Sequence, residues 1–227
     1  MRELRELKKF IYRKFFYNPK SNQEIIDNFH KFYYESGAWD NLTYFGVKMQ
    51  KCPMDLAIYQ EMLYELKPDL VIETGTAFGG SAFYMAHLMD ILGKGKIVSV
   101  DINFKQVRPQ HPRITYITGS STDQKIVEDV KKMIPPNGVV LVILDSDHSR
   151  DHVLREMQIY HSLVTLGSYM IVEDTNANGH PVFEEFGPGP MEALDEFMKT
   201  NNDFVIDESR EKFFLTYNPR GYLKKVK

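Results

Sequence analysis

LVIETGTAFGGS, residues 70–81, is a short apolar run that breaks into a glycine-rich turn, and its reading decides the fold. Leu70 to Glu73 have the β-branched, nearly continuous apolar character of a buried strand. Gly75 and Gly79 free the backbone where it must turn, and the residues after them begin a helix whose N-terminus offers unpaired N–H groups. Strand, glycine turn and helix in that order open a βαβ unit. The spacing is G-x-x-x-G-G, so the dinucleotide fingerprint G-x-G-x-x-G is absent.

Outward from this unit the same alternation repeats. KIVSV (96–100), ITYIT (114–118), VVLVIL (139–144) and YMIV (169–172) read as strands, and stretches near 80–92, 123–134, 150–162 and 190–200 read as helices. Continuous apolar strands suit a parallel sheet covered on both faces. FVIDE (204–208) and KFFLTYN (212–218) predict a closing hairpin. The expected architecture is an α/β three-layer sandwich around a seven-stranded, mostly parallel sheet with an antiparallel C-terminal hairpin. Its domain spans residues 39–227, preceded by a basic helical leader over 1–38. TNANGHPVFEEFGPGP (175–190) is the one long Gly- and Pro-rich loop, of the kind that usually serves as a lid or binding loop.

Composition supports one ordinary domain: 227 residues, 43% hydrophobic and 26% charged, exclude disorder and a fibrous repeat. A net charge of −3, from 28 Lys and Arg against 31 Asp and Glu, argues against a nucleic-acid partner. A single cysteine and the lack of any early apolar run long enough for a signal or span lead to a cytoplasmic expectation. The first twenty residues differ, with seven Lys or Arg against two Glu and with Leu4, Leu7, Ile11 and Phe15 at helical spacing. Such a helix lies on an anionic membrane surface, docks another subunit, which leaves a homo-oligomer open, or packs its stripe on its own domain.

In open α/β sheets ligands sit at the carboxyl ends of the strands. Glu73 precedes the glycine turn, where it would repel a pyrophosphate and suit a cation. Asp101 ends the second strand, placed for two ribose hydroxyls, and Gly119-Ser120-Ser121-Thr122-Asp123 end the third with small polar groups for an adenine edge. A ligand with ribose, adenine and positive charge but no phosphate fits all three, and S-adenosylmethionine is one. The plainer alternative is an ordinary turn with acids that cap the next helices.

The fourth strand ends in Leu144-Asp145-Ser146-Asp147-His148 and the fifth in Val172-Glu173-Asp174-Thr175-Asn176. Were these strands adjacent, Asp145, Glu173 and Asp174 would converge, and a hard divalent cation such as Mg²⁺ would compensate them. Otherwise one acid caps a helix and the others face water. His148 is then a base candidate, with His180 a second. His148 and His152, at i and i+4, are alternatively a transition-metal pair. His30, His87, His111 and His161 read as structural, and Cys52 as a small buried hydrophobe rather than a nucleophile. Trp39, Tyr44 and Phe45 wall an acceptor pocket or simply pack.

The blocks KCPMDLAIYQEMLYELKPDLVIETGTAFGGSA, ILDSDHSRDHV, GSYMIVEDTNANGHPV and GPGPMEALDEFM resemble the cephalosporin hydroxylase and rhamnosyl O-methyltransferase family, over about Trp39 to Tyr222. The resemblance implies the Rossmann-like class I methyltransferase fold and methyl transfer from S-adenosylmethionine. The strand ends are also similar to those of catechol O-methyltransferase, which implies metal ligands at Asp145, Glu173 and Asp174 and the base at His148. The catechol enzyme has a lysine in place of His148 and Asp then Asn in place of Glu173 and Asp174. By the same resemblance, Gly75, Ala77 and Ser81 contact the methionine part of the cofactor, Asp101 the ribose and Ser121 the adenine side. Glu73, Thr76, Phe78, Ile102 and Asp145 complete the expected cofactor site. The expected reaction is metal-dependent O-methylation of a sugar hydroxyl in a glycolipid, polysaccharide or glycosylated natural product. A small-molecule hydroxylase and a non-catalytic cofactor-binding subunit are the competing readings.

Overall fold

The computed structural model describes residues 2–15, 22–103 and 107–227, with backbone alone at 2–3 and 12–15. Helices α1 (Arg2–Phe15) and α2 (Gln23–Glu35) lead to a two-stranded hairpin, β1 (Thr43–Tyr44) and β2 (Val47–Lys48), and to α3 (Pro53–Leu66). The sheet follows, as β3 (Leu70–Thr74), α4 (Gly80–Leu92), β4 (Lys96–Asp101), β5 (Ile114–Thr118), α5 (Gln124–Lys132), β6 (Val140–Leu144), α6 (Arg150–Tyr160) and β7 (Tyr169–Val172). Helix α7 (Pro190–Thr200) and strands β8 (Phe204–Ile206) and β9 (Tyr222–Lys225) complete it.

The seven strands run in the order β5-β4-β3-β6-β7-β9-β8. The first five are mutually parallel, and β9 is antiparallel to both β7 and β8. Strand order reverses between β3 and β6, so a crevice opens at their carboxyl ends. Alternate residues of one strand feed opposite cores, as the two-residue period requires. Val140, Val142 and Leu144 of β6 pack with α5, α6 and α7, while Leu141 and Ile143 pack with α3 and α4. That double burial produces the three layers.

Gly75 is required by geometry. Its φ is +83°, and an added Cβ would lie 1.6 Å from the carbonyl oxygen of Asp145, because the turn after β3 presses on the end of β6.

The sheet closes differently from the sequence expectation in one respect. The partner of β8 is Tyr222–Lys225, not residues 212–218. Tyr217 spends its N–H on Asp55 Oδ2 (2.9 Å), and its carbonyl accepts from Asn176 N (3.2 Å), so its backbone groups are taken by partners other than a neighbouring strand. Leu215 and Tyr217 instead bury themselves against Cys52.

Helix α2 is built into the domain, so the expected boundary at 38/39 crosses a packed region. His30 is buried, stacks on Tyr217 with ring centroids 5.7 Å apart, and receives a hydrogen bond from Asn176 Nδ2 at 2.9 Å. The apolar stripe of α1 is not buried: Leu4, Leu7 and Ile11 are 59%, 53% and 39% exposed, and the side chain of Phe15 lies outside the described residues. No helix among the described residues is long and apolar enough to cross a membrane.

Candidate active site

The strand ends open into one cavity of about 650 Å³. Gly75, Thr76, Ala77, Phe78, Ser81, Asp101, Ile102, Ser121 and Asp145, all expected cofactor contacts, line it. Asp101 ties the turn to β4: its Oδ2 accepts from Thr76 N (3.1 Å) and Ala77 N (2.8 Å) and meets Arg108 Nη2 at 3.0 Å. Arg108 carried no sequence signal, since it lies in a loop with no periodicity. Glu73 differs from expectation. It is fully buried beneath the turn, where Ser81 Oγ and Ser99 Oγ donate to its two oxygens at 2.5 and 2.6 Å, and it does not line the cavity. Burial pushes its pKa up, and Lys51 partly offsets this. Its role in this geometry is to brace the turn.

At the other end, β6 and β7 are neighbours, and they bring the acids together. His148 Nε2 lies 3.3 Å from both Asp145 Oδ1 and Asp174 Oδ2. These three residues offer ligand atoms that all fall within 4.8 Å of one another. Asp174 sits at φ +52°, a left-handed conformation held by its N–H donating to Asn218 Oδ1 at 3.1 Å. Glu173, the third expected ligand, stands apart from this cluster. Tyr59 OH donates to its Oε1 at 2.6 Å and Lys51 Nζ to its Oε2 at 2.5 Å, and it lies outside the cavity lining. Lys51 also pairs directly with Asp145. Sequence reasoning missed Lys51, because one lysine ahead of a proline-initiated helix stands out from no pattern.

The charges form a coupled group. Burial works against the Lys51 ammonium, yet Asp145 and Glu173 outweigh it and raise the pKa. Burial likewise works against ionised Asp145, yet Lys51 and His148 hold its carboxyl below the usual range. Burial and the neighbouring Asp145 push Glu173 up to about 8, and burial also raises Asp174. Burial disfavours the His148 imidazolium, but Asp174 and Asp145 overcome this and raise its pKa to about 9. Buried carboxylate oxygens that have drawn an ammonium into their midst fit a hard divalent cation.

The other candidates disperse. His152 Nε2 faces Ser121 Oγ (3.2 Å) and Glu156 (3.5 Å), so it forms no ligand pair with His148. His180 pairs with Glu192 at 2.8 Å and does not line the cavity. Cys52 is buried, and burial pushes its thiol up to about 12, in keeping with a hydrophobic role. Trp39 does line the cavity, with Tyr34, Phe183, Phe186 and Tyr217. It stacks on Tyr34 with centroids 5.5 Å apart and meets Tyr217 edge-on at 6.1 Å. Tyr44 and Phe45 pack instead against His87 and each other, away from the cavity.

A seven-stranded sheet of this order, with a glycine turn after its first parallel strand and acids after two others, defines the class I methyltransferase fold. The chain belongs to the rhamnosyl O-methyltransferase/CmcI family, whose model matches residues 36–226. It is 41% identical over 215 residues to the rhamnosyl O-methyltransferase of Mycobacterium tuberculosis, covering 92% of this chain and 87% of that one. The rhamnosyl O-methyltransferase of Mycobacterium leprae is 41% identical over 213 residues, covering 91% and 92%. Among solved structures, a CmcI apo structure superposes with a TM-score of 0.65 at 23% identity, covering 83% and 77% of the two chains. An O-methyltransferase from Bacillus cereus in complex with SAH gives 0.53 at 12% identity, covering 98% and 97%.

Proposed function

We propose that this chain is an S-adenosylmethionine-dependent O-methyltransferase that acts on a sugar hydroxyl, first of all that of a rhamnosyl residue. The observation that carries the reading is spatial: the His148 and acid cluster shares one cavity with the glycine turn on one side and an aromatic wall on the other. The rhamnosyl O-methyltransferases named above, similar over nine tenths of this chain, support the acceptor class.

In this reading Gly75, Thr76, Ala77, Phe78 and Ser81 receive the methionine part of the cofactor, Asp101 and Ile102 the ribose, and Ser121 the adenine side. Glu73 keeps the turn in shape. Asp145 and Asp174 would hold Mg²⁺ or a similar cation, with Glu173 joining them only by giving up its contact with Lys51, and the cation would supply positive charge beside the acceptor oxygen and so lower the cost of deprotonating a hydroxyl. His148 Nε2 is the proton acceptor: Asp174 and Asp145 keep it as the imidazolium while their charge is unopposed, and a cation held by those carboxylates would offset that charge and favour the neutral, proton-accepting form. Tyr34, Trp39 and Tyr217 offer flat apolar faces against which the C–H face of a sugar ring packs, leaving its hydroxyls toward the acids. Alignment of oxygen, methyl and sulfur supplies the remaining advantage through orientation.

The test is turnover: S-adenosylmethionine with rhamnosyl glycosides, scored as S-adenosylhomocysteine released and methylated sugar by mass spectrometry. Cofactor binding with no methylation of any sugar hydroxyl would overturn the reading and favour a non-catalytic binding subunit. Contact of α1 with an anionic membrane surface belongs to the same proposal, supported by the exposed Leu4 and Leu7 beside the basic residues of the leader. Co-sedimentation with anionic but not neutral vesicles checks it, and equal sedimentation with neither would remove it.

A further inference from the structure

Lys51 has no part in the chemistry above, yet it is the most deeply placed cation of the site, 4% exposed at its side chain. The start of α3 fixes its position. Pro53 begins the helix, and the preceding Cys52 is anchored in an apolar cluster with Leu215 and Tyr217. From there the side chain reaches the ends of two different strands at once, contacting Asp145 Oδ2 and lying 2.5 Å from Glu173 Oε2. The second oxygen of Glu173 is held by Tyr59 at 2.6 Å. Without the ammonium, Asp145, Glu173 and Asp174 would share a buried space with only His148 to balance them, an arrangement that costs far more than a paired one.

We propose that Lys51 is a tethered counter-ion that competes with the divalent cation. Its ammonium holds the acids together before the metal binds, and loading the metal displaces it from Asp145 and Glu173. This inference rests on the metal-dependent reading given above. The physical argument is that an ammonium and a dication in contact with the same carboxylates repel each other in a poorly screened environment, so both cannot keep those contacts. The ammonium lowers the negative charge that attracts the metal, and the site therefore binds metal more weakly than its three carboxylates alone would. Lys51 already lines the cavity, so the released side chain has open space to enter.

Two measurements test this on the metal-stripped full chain. The first is calorimetric titration of Mg²⁺ into the wild type and Lys51→Met. Removal of the ammonium is expected to tighten Mg²⁺ binding about tenfold or more and to enlarge the rise in melting temperature that Mg²⁺ produces. Equal or weaker binding by the variant would overturn the proposal. The second needs only the wild type, so it holds even where Lys51→Met does not fold. Amine acylation read by peptide mass spectrometry should leave Lys51 protected without Mg²⁺ and labelled with it. Bound Mg²⁺ with unchanged labelling overturns the competition and leaves the metal reading intact, whereas no Mg²⁺ binding by the wild type overturns both.

Discussion

Acid should weaken this fold through His30. The residue is buried on α2, and burial lowers its pKa to about 4, against a smaller opposing pull from Asp27. In the unfolded chain it titrates near 6.5. The folded value is the depressed one, so between about pH 6.5 and 4 the unfolded chain binds the extra proton. The stability that neutral His30 confers is complete above pH 6.5 and is lost as pH falls through that window. A shift from 6.5 to about 4, at about 1.36 kcal/mol per unit, is worth about 3 kcal/mol in full and about 2.5 kcal/mol by pH 4.5. Urea unfolding of the wild type and His30→Gln at pH 7.5 and 4.5 isolates this contribution. Buried acids with raised pKa values, such as Asp55 at about 6, act in the opposite direction, but they are common to both proteins and cancel in the comparison. The variant should lose about 2.5 kcal/mol less than the wild type over that interval. Parallel losses would refute the reasoning. Because His30 supports Tyr217 and Asn176, both of which line the cavity, acceptor KM should climb over the same range while cofactor affinity holds.

Asp145→Ala should abolish calorimetric Mg²⁺ binding while S-adenosylmethionine still binds, and full activity of the variant in the presence of a chelator would remove the metal from the mechanism. Gly75→Ala should cost more than about 3 kcal/mol in urea unfolding, since it combines a φ of +83° with a methyl 1.6 Å from the Asp145 carbonyl; a loss under about 1 kcal/mol would mean that the β3 turn can retreat from β6. Trp39→Ala should raise the KM for a rhamnosyl acceptor about tenfold, or about 1.4 kcal/mol, with cofactor affinity unchanged. An effect on cofactor affinity alone would move Trp39 out of the acceptor wall.

The inner parallel strands were legible because they are buried on both faces: Val140 to Leu144 and Tyr169 to Val172 have no solvent side on which polar residues could interrupt the apolar run. The last strand was not. Tyr222–Lys225 offers two apolar residues followed by two lysines, while KFFLTYN has stronger strand character and spends it on Cys52 and Asp55 instead. The cavity residues at the ends of β3, β4 and β6 were legible for the same reason as the sheet, since position after a strand fixes location in this architecture. Which way a carboxylate turns is not fixed by position. Glu73 and Glu173 both stand where the sequence put them, and both direct their oxygens to partners beneath the surface: Ser81 and Ser99 in one case, Lys51 and Tyr59 in the other.

Those two acids also explain why the site needs residues from outside the sheet. The parallel strands concentrate Glu73, Asp145, Glu173 and Asp174 at one edge and bring no lysine or arginine to it from their own ends. Glu73, which has no acid in direct contact, takes two serine hydroxyls as hydrogen-bond donors and feels the Lys51 charge without touching it. Asp145 and Glu173 need a positive charge, and the chain supplies it from the segment between β2 and α3, the same segment that anchors Cys52 under the aromatic wall of Trp39 and Tyr217. The glycine-turn side of the cavity is therefore set by the sheet, whereas Tyr34 and Trp39 of the aromatic wall and the counter-charge of the acids come from the segment ahead of α3, with Phe183, Phe186 and Tyr217 completing the wall. A substitution that reshapes the acceptor wall near Cys52 should accordingly shift Mg²⁺ affinity even where it touches no carboxylate, through the position it gives to Lys51.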